Sequence, residues 1–237
     1  MSLTVIIPLR NEEGAIVNTL KYFEESWIIN IDHEILLIDD FSIDNTCEKI
    51  NSFNSSTLNF KTITNKKKGL GSAIKVGIES CSKKYVAIFM ADLSDDIDDL
   101  KKYYDIIKEK ELDAVFGSRF INNSHIENYP TSKYYFNRIA NNIIKIIFLN
   151  KYNDYTNAFK IYKKETLIKL FPLVTENFNI FLELPLKIIS RKYTYKIIPI
   201  SWKGRKDGYS KFNISELGSK YIFTVLYCWL EKILLKK

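Results

Sequence analysis

The chain has 237 residues, 46% of them hydrophobic, enough for one sizeable α/β domain or two small ones. Lys plus Arg number 35 against 28 Asp plus Glu, and the formal charge of +7 fits a nucleotide phosphate, an anionic membrane surface or nucleic acid about equally. Two isolated histidines exclude a histidine-based metal site, and three distant cysteines form no ligand or redox spacing, which favours buried thiols in a reducing compartment.

The N-terminal MSLTVIIPLR lacks the length and charge order of a signal peptide. Leu3 to Ile7 reads as an inner strand, with Pro8 ending it. Arg10 to Gly14 makes a polar turn, and Ala15, Ile16, Leu20 and Phe23 give a helix its apolar face. Glu34 to Ile38 is a second strand that empties into Asp39 and Asp40. Ser42 and Asp44 lie in the loop before a helix over Thr46 to Ile50. Asn59 to Thr64 is a third strand; Lys66 to Ser72 then leads to a helix through Ala73, Val76 and Ile78.

The run Tyr85 to Met90 predicts a strand buried on both sides, stopping at Asp92 with Asp95, Asp96, Asp98 and Asp99 close behind. Asp98 begins a helix to Lys110, and acids near a helix start need no ligand. Asp113 to Gly117 is the next strand, closed by Ser118 and Arg119; a long helix over Tyr134 to Phe148 carries Ile139, Ile143, Ile146 and Ile147 on one side. Asn153 to Asn157 leads to a strand at Ala158 to Tyr162. A helix over Phe178 to Ser190 contains Pro185, which kinks it or marks a late start. Tyr195 to Ile200 is a strand, and Trp202 to Lys211 a basic, glycine-containing loop.

Strand and helix alternate, which predicts a mostly parallel sheet covered by helices. Ligands of such sheets bind beyond the carboxyl ends of the strands. Three strand exits carry chemistry there: Asn11 with Glu12, Asp39 with Asp40, and Asp92 with its neighbours. The lysines and glycines of Lys66 to Gly71 lack Walker spacing; they meet a diphosphate or form a solvated turn. No GxGxxG follows the first strand, which disfavours a dinucleotide enzyme. The basic residues are not gathered with aromatics on one stripe, which disfavours a nucleic-acid module. From Leu217 onward the sequence is nearly all apolar over Tyr221 to Leu230, then bears Lys232, Lys236 and Lys237. The stretch is too short to cross a bilayer, and it either lies in a membrane interface or docks on the protein or a second subunit.

VIIPLRNEE, EILLIDDFSIDNT, KKGLGSAIKVGI, FMADLSDD, GSRF, NDYTNAFKIY and GRKDGYSKF follow one another from Leu3 to about Phe212. In these stretches the chain resembles a family 2 glycosyltransferase of GT-A fold, above all the branch containing dolichol-phosphate mannosyltransferase and other polyprenyl-phosphate sugar transferases. The resemblance implies a Rossmann-like, mostly parallel central sheet over residues 1–215 and a C-terminal amphipathic helix over residues 216–237. It implies transfer of a sugar from a nucleoside-diphosphate sugar to a polyprenyl phosphate, peripheral to the cytoplasmic face of a membrane. The alternatives are transfer to a glycan hydroxyl and a degenerate nucleotide-sugar-binding partner subunit.

By the same resemblance Pro8, Asn11 and Glu12 line the nucleotide side, Asp39 and Asp40 meet base and ribose, and Gly69 and Gly71 lie beneath the nucleotide. Asp92 keeps the second position of the family's Asp-Ala-Asp metal motif, whereas Met90 replaces the first carboxylate. A thioether is a poor ligand for Mg²⁺ or Mn²⁺. Either Asp92 suffices, with Asp95 helping, or metal binding is weakened. Arg119, Arg138 and Arg205 are candidates to hold phosphates because a guanidinium fork matches phosphate oxygens, and Asp154 matches an acidic position near the acceptor.

Overall fold

The computed structural model describes residues 2–204 and 214–235, with side chains from 218 onward in the second stretch. In chain order its elements are β1 (Ser2–Leu9), α1 (Ile16–Glu24), β2 (Asp32–Asp39), α2 (Thr46–Asn51), β3 (Phe60–Thr64), α3 (Leu70–Ser80), β4 (Tyr85–Ile88) and α4 (Ile97–Glu109). They continue as β5 (Ala114–Ser118), β6 (His125–Glu127), α5 (Thr131–Phe148), β7 (Lys160–Lys163), α6 (Lys164–Lys169), α7 (Ile180–Ser190), β8 (Tyr195–Pro199), β9 (Ser201–Lys203) and α8 (Ile214–Leu234).

Seven strands form one sheet in the order β3-β2-β1-β4-β7-β5-β8. All neighbours pair in parallel except β7, which runs antiparallel to both β4 and β5. The reversal brings the start of β7, at Lys160, to the edge where the other strands end. Side chains alternate between two apolar layers, as a sheet covered on both faces requires. Val5, Ile7, Ile35, Leu37 and Ala87 join a core with Leu20 and Phe23 of α1 and Leu100 and Tyr103 of α4. Ile6, Leu36, Ile38, Val86 and Ile88 join another with Ala73 and Ile74 of α3 and Leu182 and Leu186 of α7. Each fully buried side chain of this size contributes about 1.5–3 kcal/mol.

Two local features differ from the sequence expectations, at Pro8 and Trp202, and two add to them, at Pro185 and on α5. Pro8 does not end β1, which continues to Leu9. Ile6 faces β4, accepting from the Phe89 N–H, so Pro8 faces the same side after the β1–β4 pairing has ended at Ile6 and its missing N–H forfeits no ladder bond. Pro185 lies inside α7, and the Phe181 carbonyl it leaves without its helical partner accepts from Lys160 Nζ. Trp202 is in no loop: β9 pairs in parallel with β6 as a small second sheet. On α5, Ile144 and Phe148 are buried, whereas Ile139, Ile143, Ile146 and Ile147 face outward.

One side of α8 is docked. Thr224 and Cys228 are buried against α7, Asn179 donates to Thr224, and Arg191 pairs with Glu231. Glu231 also lies beside Lys187, which pairs with Glu183 in the buried interior of α7. No helix of the described residues is long and apolar enough to cross a membrane.

Candidate active site at the carboxyl edge of the sheet

The first two strand exits interlock. The Asn11 backbone, at φ 52°, donates to Ser42 Oγ at 3.0 Å, and Asn11 Oδ1 accepts from the Ile43 N–H at 2.9 Å. The Glu12 N–H donates to Thr46 Oγ1 at 2.8 Å. Asp39 accepts from the Ser42 N–H at 3.2 Å, while the Asp40 N–H donates to the Leu9 carbonyl. Pro8, Asn11, Glu12, Asp39 and Asp40 therefore meet at one edge, as their strand positions predict. The Asn11 side chain joins the two loops.

Asp40 organises the glycine turn. Its Oδ1 accepts from the Gly69 N–H at 2.8 Å and from Asn65 Nδ2 at 2.7 Å. Gly69 has φ +139°, where L side chains are strained, and a Cβ there would stand 2.4 Å from the Glu176 carbonyl oxygen. A Cβ on Gly71 would stand 2.6 Å from the Glu176 carbonyl carbon, and the Gly71 N–H donates to the Glu176 carbonyl at 2.9 Å. What these two glycines approach is the Glu176 backbone. The spacing of the lysine–glycine stretch gave no sign of that partner, about a hundred residues away along the chain.

The β4 exit turns sharply. Asp92 Oδ1 accepts from the Ser94 N–H at 3.1 Å and Oγ at 2.6 Å, with Leu93 between them at φ 55°. Thr19 of α1 donates to the Ala91 carbonyl at 2.8 Å and ties this exit to the first. Asp92 is half-buried; Asp95 is only 4% exposed, fixed by a bridge to Trp202, and its Oδ1 has no hydrogen-bond partner. Burial, and next the Asp92 charge, push the Asp95 carboxyl up to about 8. Met90 packs against the apolar core that includes Ala73 and Phe181. Asp96, rather than Asp98, caps α4, accepting from the Asp98 N–H at 2.8 Å.

Arg119 and Asp154 pair with one another. Arg119 Nε and Nη2 donate to the two Asp154 oxygens at 2.8 and 2.7 Å, and the Arg119 backbone N–H donates to Oδ2 at 2.9 Å. Arg119 is 8% and Asp154 0% exposed. The rings of Phe120, Tyr129 and Trp202 stand 5.4, 5.4 and 5.6 Å from the guanidinium carbon. Burial disfavours the charge on Arg119, but Asp154 outweighs it and raises the pKa. Through Nε and Nη2 Arg119 forms a buried pair with Asp154 that fixes the β5 exit to the loop before β7.

Lys160, which sequence reasoning did not single out, lies beneath this pair, 1% exposed. Its Nζ donates to the carbonyls of Tyr155, Asn157 and Phe181. Burial pushes its pKa down to about 7, with Asp154 opposing the fall. A lysine between the apolar residues Phe159 and Ile161 was the available signal.

Two further cations, on α5, lie beside the Arg119 cage. Arg138 is half-buried over the Phe120 ring, 4.7 Å from its centroid, and its Nη1 has no hydrogen-bond partner. Lys133 stands over Tyr129; burial, then the Arg119 charge, lower its pKa, while Asp92 acts the other way. These interactions bring Lys133 and Arg138 to the Arg119 cage, and Lys133 within electrostatic reach of Asp92. Arg205 lies outside the described residues.

Among the described residues no group of three or more His, Cys, Asp or Glu side chains is arranged for a metal ion. The donors at the β4 exit are nevertheless carboxylate oxygens, the kind Mg²⁺ and Mn²⁺ take, and the orphaned Asp95 Oδ1 fits a cation. Such ions need only one or two carboxylates when a substrate diphosphate supplies further oxygens.

Comparison with known proteins adds relatives. The dolichol-phosphate mannosyltransferase of Pyrococcus furiosus is 29% identical over 235 residues, 95% of this chain and 62% of that protein. The dolichyl-phosphate beta-glucosyltransferase of Dictyostelium discoideum is 26% identical over 72% of this chain and 56% of its own length. The chain thus spans less than two thirds of these relatives. S. aureus TarS in complex with UDP superposes with a TM-score of 0.71 at 17% identity, covering 100% of this chain and 67% of that one. Glucosyl-3-phosphoglycerate synthase from Mycobacterium tuberculosis with Mn²⁺, UDP and phosphoglyceric acid gives 0.70 at 13% identity, covering 96% and 78%. These likenesses establish the GT-A α/β fold. The model described as glycosyl transferase family 2 matches residues 4–171, well over half of the sequence, and the chain belongs to that family.

Proposed function

We propose that the protein transfers a sugar from a nucleoside-diphosphate sugar to a polyprenyl phosphate while resting on the cytoplasmic face of a membrane. One observation carries the acceptor. Helix α5 directs Lys133 and Arg138 toward the cleft and leaves large apolar side chains in solvent on its other side. Phe136 is 62% and Ile139 58% exposed, and Ile143, Ile146 and Ile147 follow at helical spacing. Helix α8 extends the surface with Ile222, Phe223, Leu226, Trp229 and Ile233, and Lys232 joins the two helices by donating to the Phe148 carbonyl at 2.7 Å. An exposed apolar surface of this extent marks a binding face, and lysines beside it suit an anionic leaflet. The names of the archaeal and amoebal relatives support the same class of acceptor.

The donor would lie over the Asp39–Asp40 and glycine loops. As the sugar leaves, negative charge grows on the departing diphosphate, and fixed cations lower the cost. A divalent ion, present in the mycobacterial neighbour, would hold that diphosphate and offset its charge. Lys133 and Arg138 are the groups suited to the acceptor phosphate. A lipid phosphate is already ionised near neutral pH, so it needs positioning more than a base. The Arg119–Asp154 pair and Lys160 keep the loops beneath it rigid.

Flotation with anionic liposomes tests the reading. Phe136→Ser with Ile139→Ser, or Phe223→Ser with Leu226→Ser, should abolish flotation and slow transfer to polyprenyl phosphate, with nucleotide affinity retained. Wild-type protein that never floats and sediments as a dimer lost in these variants would make the surface an oligomer contact and defeat the proposal.

A further inference from the structure

We propose that Glu183, in the buried interior of α7, is a positioning residue for the donor: it holds the backbone of Val174 to Glu176 against the glycine turn beneath the nucleotide. The inference rests on the nucleotide-sugar reading of this cleft and adds the residue that sets where its floor lies.

Glu183 is 0% exposed, on a helix whose other buried members are nearly all apolar. A carboxylate removed from water is costly unless its oxygens are met. Here Oε1 accepts from the Val174 N–H at 2.9 Å, and Oε2 from the Thr175 N–H at 2.9 Å and the Thr175 hydroxyl at 2.6 Å. Lys187, one turn further on and also 0% exposed, stands 3.2 Å from Oε1 and supplies the balancing charge. Its Nζ donates in addition to the Leu170 carbonyl at 3.1 Å and to that of Pro172. The two side chains thus bind the loop between α6 and α7 at Leu170, Pro172, Val174 and Thr175.

Replacing a buried ion pair by apolar side chains is often neutral or stabilising, so stability alone does not account for this one. What it adds is direction. Consecutive backbone N–H groups aimed at one carboxylate fix the peptide planes that lead into Glu176. The Glu176 carbonyl then accepts from the Gly71 N–H at 2.9 Å, and its oxygen would stand 2.4 Å from a Cβ on Gly69. Packing this close leaves no slack, so a displacement of Glu176 passes to Gly69, whose N–H reaches Asp40 Oδ1 at 2.8 Å. The Lys67–Glu176 ion pair over the same turn is exposed and contributes little.

The test pairs calorimetry, with UDP, GDP and dTDP as probes, with amide hydrogen exchange of the glycine turn. Glu183→Gln keeps the size of the side chain but leaves a single acceptor oxygen. It should weaken binding of the nucleotide the wild type prefers about tenfold, the scale of one lost hydrogen bond to a charged group. It should also speed exchange at Gly71 while β1 and β2 keep their protection. Thr175→Val, which removes only the hydroxyl, should show the same changes to a smaller degree, and Thr175→Ser, which keeps it, should match the wild type. Should Glu183→Gln fail to fold, the Thr175 variants decide alone. Wild-type affinity in folded Glu183→Gln, exchange that quickens throughout the sheet with affinity unchanged, or Thr175→Val behaving as Thr175→Ser does overturns the proposal in favour of a structural role. Wild-type protein that binds none of these nucleotides defeats the nucleotide-sugar reading instead, and the Gly71 exchange rates then still decide whether Glu183 holds the turn.

Discussion

Asp154→Ala should destabilise the fold more than it disturbs any contact to substrate. The substitution removes a 0% exposed carboxylate and strands Arg119, 8% exposed, beneath three aromatic rings. Breaking one side of a buried, bidentate pair costs about 3–5 kcal/mol, because the remaining charge loses its partner in a place water does not reach. For a chain of this size that loss lowers the melting temperature by about 6–20 °C. Asp154→Asn keeps an acceptor oxygen for Nε and should cost less than alanine. Arg119→Met with Asp154→Leu should recover most of the loss, since neither charge is then left buried. Thermal unfolding followed by circular dichroism, arranged as a double-mutant cycle, reads all three. If Asp154→Ala melts within about 2 °C of wild type yet transfers no sugar, Asp154 acts directly on the acceptor and the structural account of the pair is wrong.

Other expectations follow from the same geometry. Gly71→Ala forces a Cβ to within 2.6 Å of the Glu176 carbonyl carbon, and overpacking of this kind costs about 1–3 kcal/mol, visible as a lowered denaturation midpoint. Asp40→Ala frees the Gly69 N–H and Asn65, and calorimetry should find nucleotide affinity reduced about tenfold with the circular dichroism spectrum intact. Lys160→Met leaves the Tyr155, Asn157 and Phe181 carbonyls without this donor, and each buried acceptor so stranded costs about 1–3 kcal/mol in chemical denaturation. Arg138→Ala removes no ion pair among the described residues, so its melting temperature should hold while kcat/KM for a lipid phosphate falls about a hundredfold, the loss of one charged phosphate contact.

The sheet was legible because parallel strands covered on both faces are written as unbroken apolar runs, such as Glu34–Ile38 and Tyr85–Met90. The acids at their exits were legible for the same reason: a buried run has to stop where polarity begins. Long-range pairings were not. Arg119 and Asp154 are 35 residues apart, and nothing in either neighbourhood names the other. Gly69 and Gly71 announced a close approach, but the backbone they approach belongs to Glu176. Pro8 misled because a proline usually stops a strand, and only the early end of β4 explains why this one does not. On α5 the isoleucine stripe was visible as periodicity, yet periodicity does not say which face turns inward; Ile144 and Phe148 do.

Purified protein given UDP-, GDP- and dTDP-sugars in turn, with polyprenyl phosphate in anionic vesicles, tests the central claim most directly. One donor should yield an organic-extractable glycolipid, and the yield should fall sharply when the lipid phosphate is replaced by the corresponding alcohol. Transfer only to a water-soluble glycan hydroxyl, or no transfer from any donor although the protein binds nucleotide, would contradict it.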